Sequence, residues 1–395
     1  MRYLRRISTR RLLAICGAVG LVAIASAAIA LAATGGGPTP PPKPLPVAVH
    51  DALSAPGVAG ISARVQFTDN LLPGSGVQGS DPLLTGGSGR LWASSDGKLR
   101  LELQSDSGRG DSQVVIDGRR FLVYSGDTAT AYRGRLPIGR GGKNNSDAGT
   151  DRVPSIARIH RGLSTFARHL DLSGAMPTDV AGRPAYSVRI SPKSHGGLIG
   201  GLQLAWDAIH GVPLEASVYA HGVASPVLQL RATDISFGPV SDSVFAISPP
   251  PGTKVTNIDP PSRHPAGRGS RPAVTGAAAV ARRVSFRLNA PSSLAGMQRE
   301  EVRMVNLGDS RAALVTYGHG LGGVAVLERA SSGRSGPSRH GMGDLTLPTL
   351  SIGGVSGEEL KTPLGTVIDF NRQGVEYVVA GSVPTAVAEG AARGL

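Results

Sequence analysis

The sequence predicts an α+β protein built on a large antiparallel meander with one apolar face. The first observation is that apolar and polar side chains alternate in many short runs, which is typical of strands buried on one side. The second is a long run from Ile156 to Leu170 with apolar residues spaced by three and four, which predicts an inserted helix. The third is the composition, with 55 Gly and 29 Pro in 395 residues, which suits many turns.

The length predicts two ordinary domains with accessory segments. Shifts in composition divide the chain, and the linker is rich in Pro, Gly, Ala and Arg, with a short helix expected at its end. The predicted parts are a signal anchor or signal peptide (1–33), a Gly/Pro tether (34–46), a first domain (47–258), a linker (259–283) and a smaller C-terminal α+β domain (284–395).

The N-terminal segment predicts export. Residues 12–33 carry no charge and follow five arginines, and a helix of this length spans about 30 Å of hydrocarbon. The arginines mark the cytoplasmic side, so the remainder is expected outside. Small residues at 28–32 also fit a cleavage site. We therefore expect a single-pass membrane protein with extracytoplasmic domains, or a secreted protein if the segment is cleaved.

In the first domain, a short helix from Leu45 to Leu53 precedes a strand that points Ile61, Ala63, Val65 and Phe67 to one side. A hairpin is expected around Asp117-Gly118. The same alternation returns in five further runs: Leu99–Leu103, Tyr186–Ile190, Leu202–Trp206, Leu214–Val218 and Leu228–Ala232.

The helix predicted from Ile156 to Leu170 must lay its apolar stripe on the sheet. Two interpretations stay open: the stripe belongs to the core of an α+β domain, or it forms a lid that lines a ligand site.

The smaller domain shows the same strand pattern. Strands are predicted at Ala313–Tyr317 and Val324–Leu327, followed by a flexible insertion at Ser331–Gly343. A hairpin pairs Gly365–Phe370 with Val375–Ala380, and a C-terminal helix begins at Pro384.

Sequence motifs argue against catalysis. The sequence contains no HExxH, Walker loop, GxSxG or CxxC motif, and its nine histidines are scattered. The single Cys16 excludes an internal disulfide and a cysteine metal cluster. Residues 74–79 match GxGxxG, but the prolines around them disfavour a nucleotide site. The net charge of +13 lies largely in the N-terminus and in loops without aromatic residues, which disfavours nucleic acid. We expect no enzyme activity, cofactor or metal.

Several short motifs resemble the LolA-like superfamily, which includes periplasmic lipoprotein carriers and MucB/RseB-type partners of anti-sigma factors. The motifs are Val180–Tyr186, Leu202–Tyr219, Phe237–Val240 and Phe245–Gly252. The resemblance covers about residues 45–258 and implies an open antiparallel half-barrel, covered by helices, with an apolar cavity. Leu360–Thr366 and Gly374–Gly381 resemble the small domain appended in bacterial envelope relatives.

These observations predict an extracytoplasmic protein that binds an acyl lipid or lipoprotein in an apolar half-barrel cavity. The alternative is an envelope-stress regulator that binds a membrane anti-sigma factor or receptor, and an envelope transporter is a further candidate partner. The sequence leaves carrier and regulator undecided. The residues expected to line the cavity are Val65, Phe67, Leu101, Leu103, Ile159, Leu163, Phe166, Trp206 and Val218.

Overall fold

The computed structural model describes residues 37–72, 81–108, 110–136, 155–193, 196–246, 248–258, 274–307, 310–331 and 347–395. The predicted membrane segment, the GxGxxG match, most of the linker and nearly all of the insertion after Ser331 lie outside these residues. None of the helices in the described part is long and apolar enough to cross a membrane.

The predicted α+β class is confirmed, and the described residues form two sheets. The larger sheet has 13 strands in this part of the chain. They are β1 (Gly60–Asp69), β2 (Gly87–Ser94), β3 (Leu99–Gln104), β4 (Asp111–Asp117), β5 (Arg120–Ser125), β6 (Thr130–Arg135), β7 (Leu170–Leu172), β8 (Met176–Val180), β9 (Arg183–Pro192), β10 (Ile199–Asp207), β11 (Pro213–Ala220), β12 (Pro226–Phe237) and β13 (Lys254–Ile258).

The chain order explains the shape of this sheet. Its strands follow the order β13-β6-β5-β4-β3-β2-β1-β12-β11-β10-β9-β7, and β8 also pairs with β9. The chain meanders outward from β1 to β6 and then returns, so that β12 pairs with the other edge of β1. The described pairs are antiparallel, apart from the parallel pair of β13 and β6.

Three helices accompany the larger sheet in the described residues: α1 (Leu45–Ser54), α2 (Pro82–Thr85) and α3 (Ile156–Phe166). The prediction that the long helix reaches Leu170 was wrong. Leu170 begins β7 and pairs with Pro192 of β9, so strand pairing overrides the helical spacing there. The end of the predicted tether packs on this domain, because Pro40 is buried and the Tyr186 hydroxyl donates to the Pro41 carbonyl at 2.5 Å.

A tight turn fixes the register inside one of the motifs that carry the resemblance. Val180 of β8 pairs with Arg183 of β9, which leaves Ala181 and Gly182 as a two-residue connection. Their φ angles are +56° and +70°, the left-handed pair that a type I′ hairpin turn requires. Glycine accommodates this conformation without a steric cost, whereas Ala181 adopts it under the constraint of the pairing.

The second sheet is antiparallel, with strands in the order β14-β15-β16-β17-β21-β20-β19-β18. Its strands are β14 (Ser293–Leu294), β15 (Met297–Leu307), β16 (Ser310–Tyr317), β17 (Val324–Ala330), β18 (Thr349–Ile352), β19 (Val355–Thr362), β20 (Gly365–Arg372) and β21 (Val375–Gly381). The helices are α4 (Ala277–Ala281) and α5 (Thr385–Arg393). The core of this domain includes Val280 of α4 and Ala388, Ala391 and Ala392 of α5.

The predicted strands and the C-terminal helix of this smaller domain are therefore present. The short helix expected at the end of the linker is α4, and its Val280 is fully buried in the C-terminal core. Hydrogen bonds join the domains: Leu198 N donates to the Ser382 carbonyl at 2.8 Å, and Ile199 N donates to Ser382 Oγ at 3.1 Å.

Candidate functional site

One face of the larger sheet carries a continuous row of apolar side chains. Residues paired across neighbouring strands point to the same side of a sheet. Phe67 pairs with Leu230, Leu230 with Ala216, Ala216 with Leu204, and Leu204 with Val188. Because this row crosses five strands without a polar residue, the apolar face is continuous from β1 to β9.

The sheet curls around this face. Five strand spacings separate β4 from β11, about 24 Å in a flat sheet. Val114 of β4 and Leu214 of β11 nevertheless line the same cavity of about 120 Å³. The two halves of the sheet must therefore face each other, as the predicted half-barrel requires. We call the enclosed side the concave face.

The described residues that line the cavity are apolar except Glu215, whose carboxylate is hydrogen-bonded to Gln229 and Arg231. The cavity is smaller than the roughly 300–1,000 Å³ typical of sites for whole small molecules, so by itself it holds only a short apolar group. Its walls include Ala63, Val65, Leu91 and Leu101 from one half of the sheet and Ala216, Leu230 and Ala232 from the other.

A second apolar row lies beside the first and is more accessible. We call Leu228, Val218, Leu202, Ile190 and Leu172 the open row, since they are paired in this order from β12 to β7. Leu202 is 41% exposed, and its four partners are half-buried. The open row therefore leaves part of the apolar concave face accessible to solvent.

The helices cover one end of the concave face. Tyr186 and Trp206 are buried there with their ring centroids 6.0 Å apart. Leu45 of α1 packs in the same cluster, and Leu163 of α3 packs against it while remaining half-buried. The two helices contact each other, so α1 supports α3 over the end of the half-barrel.

The predicted wall residues on the sheet share the concave face. Val65 and Leu101 line the 120 Å³ cavity. Phe67 and Leu103 are buried in the same apolar cluster, and Val218 belongs to the open row. Trp206 lies under α1 at the covered end. Their roles in ligand binding stay predictions.

The predicted wall residues on the helix are more dispersed. Leu163 packs against the covered end of the concave face and Ile159 is half-buried. Phe166 is 61% exposed, so the structure does not bring it into the cavity. The helical spacing placed the three residues on one stripe, but α3 rests on the domain by only part of that stripe.

Strand β2 supplies Leu91 and Ala93 to the cavity, and sequence reasoning missed both. The strand begins Gly87-Ser88-Gly89, which interrupts the apolar alternation. The structure explains the glycine at 89, because a Cβ there would clash with the Glu102 carbonyl of β3. The backbones of β2 and β3 approach closely at this glycine, and the glycine interrupts the apolar–polar alternation that identifies the other strands.

Polar groups gather on the opposite, convex face. Glu215 is buried and accepts hydrogen bonds from Ser217, from Gln229 at 2.9 Å and from Arg231 at 2.5 Å. Burial raises the pKa of Glu215 although Arg231 and the hydrogen bonds oppose the shift. Each charge has partners, so we assign this network to structure rather than to ligand binding.

A second buried carboxylate ends β10. Burial acts to raise the pKa of Asp207, but hydrogen bonds from Arg183 and from the amides and ring of residues 209–210 outweigh it and lower the pKa. Arg183 Nε donates at 2.5 Å, and His210 N donates at 2.7 Å. In the described ranges, no group of three or more His, Cys, Asp or Glu side chains is arranged to hold a metal ion.

The fold and the site define a two-domain α+β protein whose larger domain is a half-barrel with an apolar concave face. No model of a known protein family matches the chain, and no curated protein matches it.

Three solved structures illustrate what the fold is similar to. MucB in complex with MucA(peri) is 17% identical, with a TM-score of 0.40, and the match covers 88% of this chain and 95% of that one. An uncharacterised conserved protein from Thermus thermophilus is 14% identical, with a TM-score of 0.30, and the match covers 54% of this chain and 96% of that one. A LolA superfamily protein from Nitrosomonas europaea is 12% identical, with a TM-score of 0.22, and the match covers 52% of this chain and 98% of that one.

Two of these names, MucB and the LolA superfamily protein, belong to the group that the sequence motifs resemble. All three TM-scores lie below 0.5, so the functional proposal rests on the residues of this chain.

Proposed function

We propose that this protein is an extracytoplasmic binding protein that holds an acyl lipid or a lipoprotein on its concave face. The observation that carries the proposal is the junction of the 120 Å³ cavity with the open row on one continuous apolar face. The end of an acyl chain would fill the cavity, and the remainder would lie along the open row toward α3. The apolar lining of the cavity suits binding of an apolar ligand rather than catalysis.

The energetics support an acyl ligand. Burying about ten methylenes contributes about 8 kcal/mol at roughly 0.8 kcal/mol each, before the cost of association. Filling the same apolar cavity with water would bring no comparable gain in free energy. The buried carboxylates of the convex face are already paired, so they do not mark a ligand site.

The location follows from the N-terminus. We propose that residues 12–33 hold the protein in the cytoplasmic membrane with both domains outside, or direct its secretion if they are removed.

A second candidate is recognition of an apolar segment of a membrane anti-sigma factor or similar receptor. The accessibility of Leu202 favours it, because a peptide can lie on the open row without entering the cavity. A lipid and a peptide on the same row would compete.

The test is native mass spectrometry of the full chain purified from its host's membrane fraction, with lipid extraction of any bound mass. Leu202→Asp places a charge on the open row, and Val223→Asp does so at a residue of similar exposure, 47%, in the turn between β11 and β12. We expect an acyl ligand on the wild type and on Val223→Asp, and its loss from Leu202→Asp. Apo protein even after incubation with host lipids would refute lipid binding, and a co-purified polypeptide lost with Leu202→Asp would favour the second candidate.

A further inference from the structure

The two ends of the apolar stripe of α3 are exposed to solvent. Phe166 is 61% exposed and Ile156 is 43% exposed, at opposite ends of the helix. None of the α3 side chains is fully buried. The helix therefore keeps part of its apolar stripe in solvent, which is costly for a helix that serves only the core.

The same helix is basic. Residues 156–166 contain Arg158 and Arg161 and no acidic residue. Both arginines are exposed, and neither forms an ion pair with another described residue. At 100° per residue they lie on the flank of α3 away from Ile159 and Leu163. Apolar residues on one side and arginines on the other are typical of helices that lie in a membrane interface.

Further positive charge continues past the end of α3. Arg168 is exposed, and Lys193 donates to the Ala167 carbonyl at 2.6 Å, which holds its ammonium beside the helix. Asp171 lies 3.7 Å from Lys193 and offsets part of this charge. The surface remains net positive and is complementary to anionic headgroups.

The chain length places this surface near the bilayer. With residues 12–33 in the membrane, only residues 34–36 separate them from the docked segment that begins at Gly37. Three residues reach at most about 11 Å. The docked segment leads through the Pro41–Tyr186 hydrogen bond into α1, which contacts α3. If residues 12–33 anchor the chain as proposed, this short connection keeps the docked segment near the membrane surface, and α3 belongs to the same domain.

We propose that α3 docks on an anionic lipid surface, with Arg158 and Arg161 at the headgroups and Phe166 and Ile156 at the boundary of the acyl region. Docking would bring the open row next to the bilayer. The inference rests on the proposed function for the membrane location of residues 12–33 and for its purpose, which is the transfer of an acyl chain between membrane and concave face. The docking itself is independently measurable.

The experiment uses the full chain with Cys16→Ser, reconstituted into lipid nanodiscs. Phe166→Cys carries an environment-sensitive NBD label, and Val255→Cys, whose native side chain is 40% exposed on β13, carries the same label as the control. The nanodiscs contain phosphatidylcholine alone or mixtures with phosphatidylglycerol. We expect a blue-shifted, iodide-protected emission at position 166 that grows with phosphatidylglycerol, and no change at 255.

The charge dependence is tested with Arg158→Gln/Arg161→Gln. Each basic residue near an anionic surface contributes roughly a fivefold factor to binding, so the ratio of docked to undocked protein should fall at least about tenfold. Arg282→Gln/Arg283→Gln removes the same charge from the smaller domain and should leave it unchanged.

Several outcomes would overturn the docking. One is the same emission at 166 in both lipids, and another is an equal response at 255. Protection at 166 without phosphatidylglycerol would show that another part of this chain covers α3. If docking fails while acyl lipid is still retained by native mass spectrometry, the proposed function survives. If α3 docks but the protein retains no lipid, the docking proposal stands and the proposed function fails.

Discussion

Filling the cavity should strengthen the fold and weaken ligand binding at the same time. Ala232 is buried on β12 opposite Val65, and both line the 120 Å³ cavity. Ala232→Leu adds three carbon atoms to this space. At about 0.8 kcal/mol per buried carbon, the free protein would gain about 2 kcal/mol if the new side chain fits, and less where packing is strained.

The same change removes room for ligand. Filling a cavity of 120 Å³ would recover at most about 3 kcal/mol at roughly 24 cal/mol per Å³, and an acyl chain would supply that filling. With leucine in that space, affinity should fall by about 2–3 kcal/mol, or roughly 30- to 150-fold. Opposite signs for stability and affinity distinguish this site from ordinary core damage.

Both quantities can be measured on the same preparation. The chain has two tryptophans, Trp92 and Trp206, and both lie in the first domain, so their fluorescence during thermal unfolding reports that domain. Affinity is measured by titration with a fluorescent fatty acid. Unchanged affinity in a folded Ala232→Leu protein would refute the cavity as the ligand site.

A control separates the cavity from packing in general. Ala131 of β6 is fully buried and does not line the cavity. Ala131→Leu should destabilise the domain by about 1–3 kcal/mol through overpacking, with ligand affinity preserved. If both variants change stability and ligand affinity in the same way, the space around Ala232 does not behave as a cavity.

Three further predictions concern stability. Asp207→Asn should cost about 2–3 kcal/mol in urea unfolding near pH 7 by removing the charge that its hydrogen-bond donors stabilise, and the difference should shrink below about pH 4. Burial raises the pKa of Glu328 to about 7, above its ordinary value, so the free energy of unfolding should fall as pH rises from about 4.5 through 7. Glu328→Gln should therefore raise the free energy of unfolding by up to about 3 kcal/mol at pH 8 and leave it unchanged at pH 4.5. Equal effects at the two pH values would contradict this. Gly89→Ala should lower the melting temperature because its Cβ clashes with the Glu102 carbonyl, whereas Gly162→Ala, with open space around it, should not.

The sequence determined which face of each regular strand is apolar. Period-2 alternation is a local property, so the side shared by Val65 and Phe67 and the side shared by Leu204 and Trp206 could be predicted before their partners were known. The turns were equally local: Asp117 pairs with Arg120 around Gly118, and residues 373–374 adopt positive φ in the hairpin of the smaller domain.

Tertiary structure alone decided which strands meet across the half-barrel. The pairing of β1 with β12 joins residues more than 150 positions apart, and the curl that brings Val114 toward Leu214 results from the accumulated twist of many strands. Neither has a local signal in the chain. Where local and distant preferences disagreed, at Leu170 and in β2, strand pairing prevailed because its backbone hydrogen bonds form between distant segments.

The exposure of Phe166 was decided in the same way. Helical spacing assigns it to the apolar stripe, but only packing fixes how much of that stripe the domain covers. The sequence therefore determined that an apolar face and an amphipathic helix exist, whereas the tertiary structure decided that the helix leaves Phe166 in solvent and the open row accessible. Amphipathicity is encoded by neighbours along the chain, and burial depends on surfaces that meet only when the chain has folded.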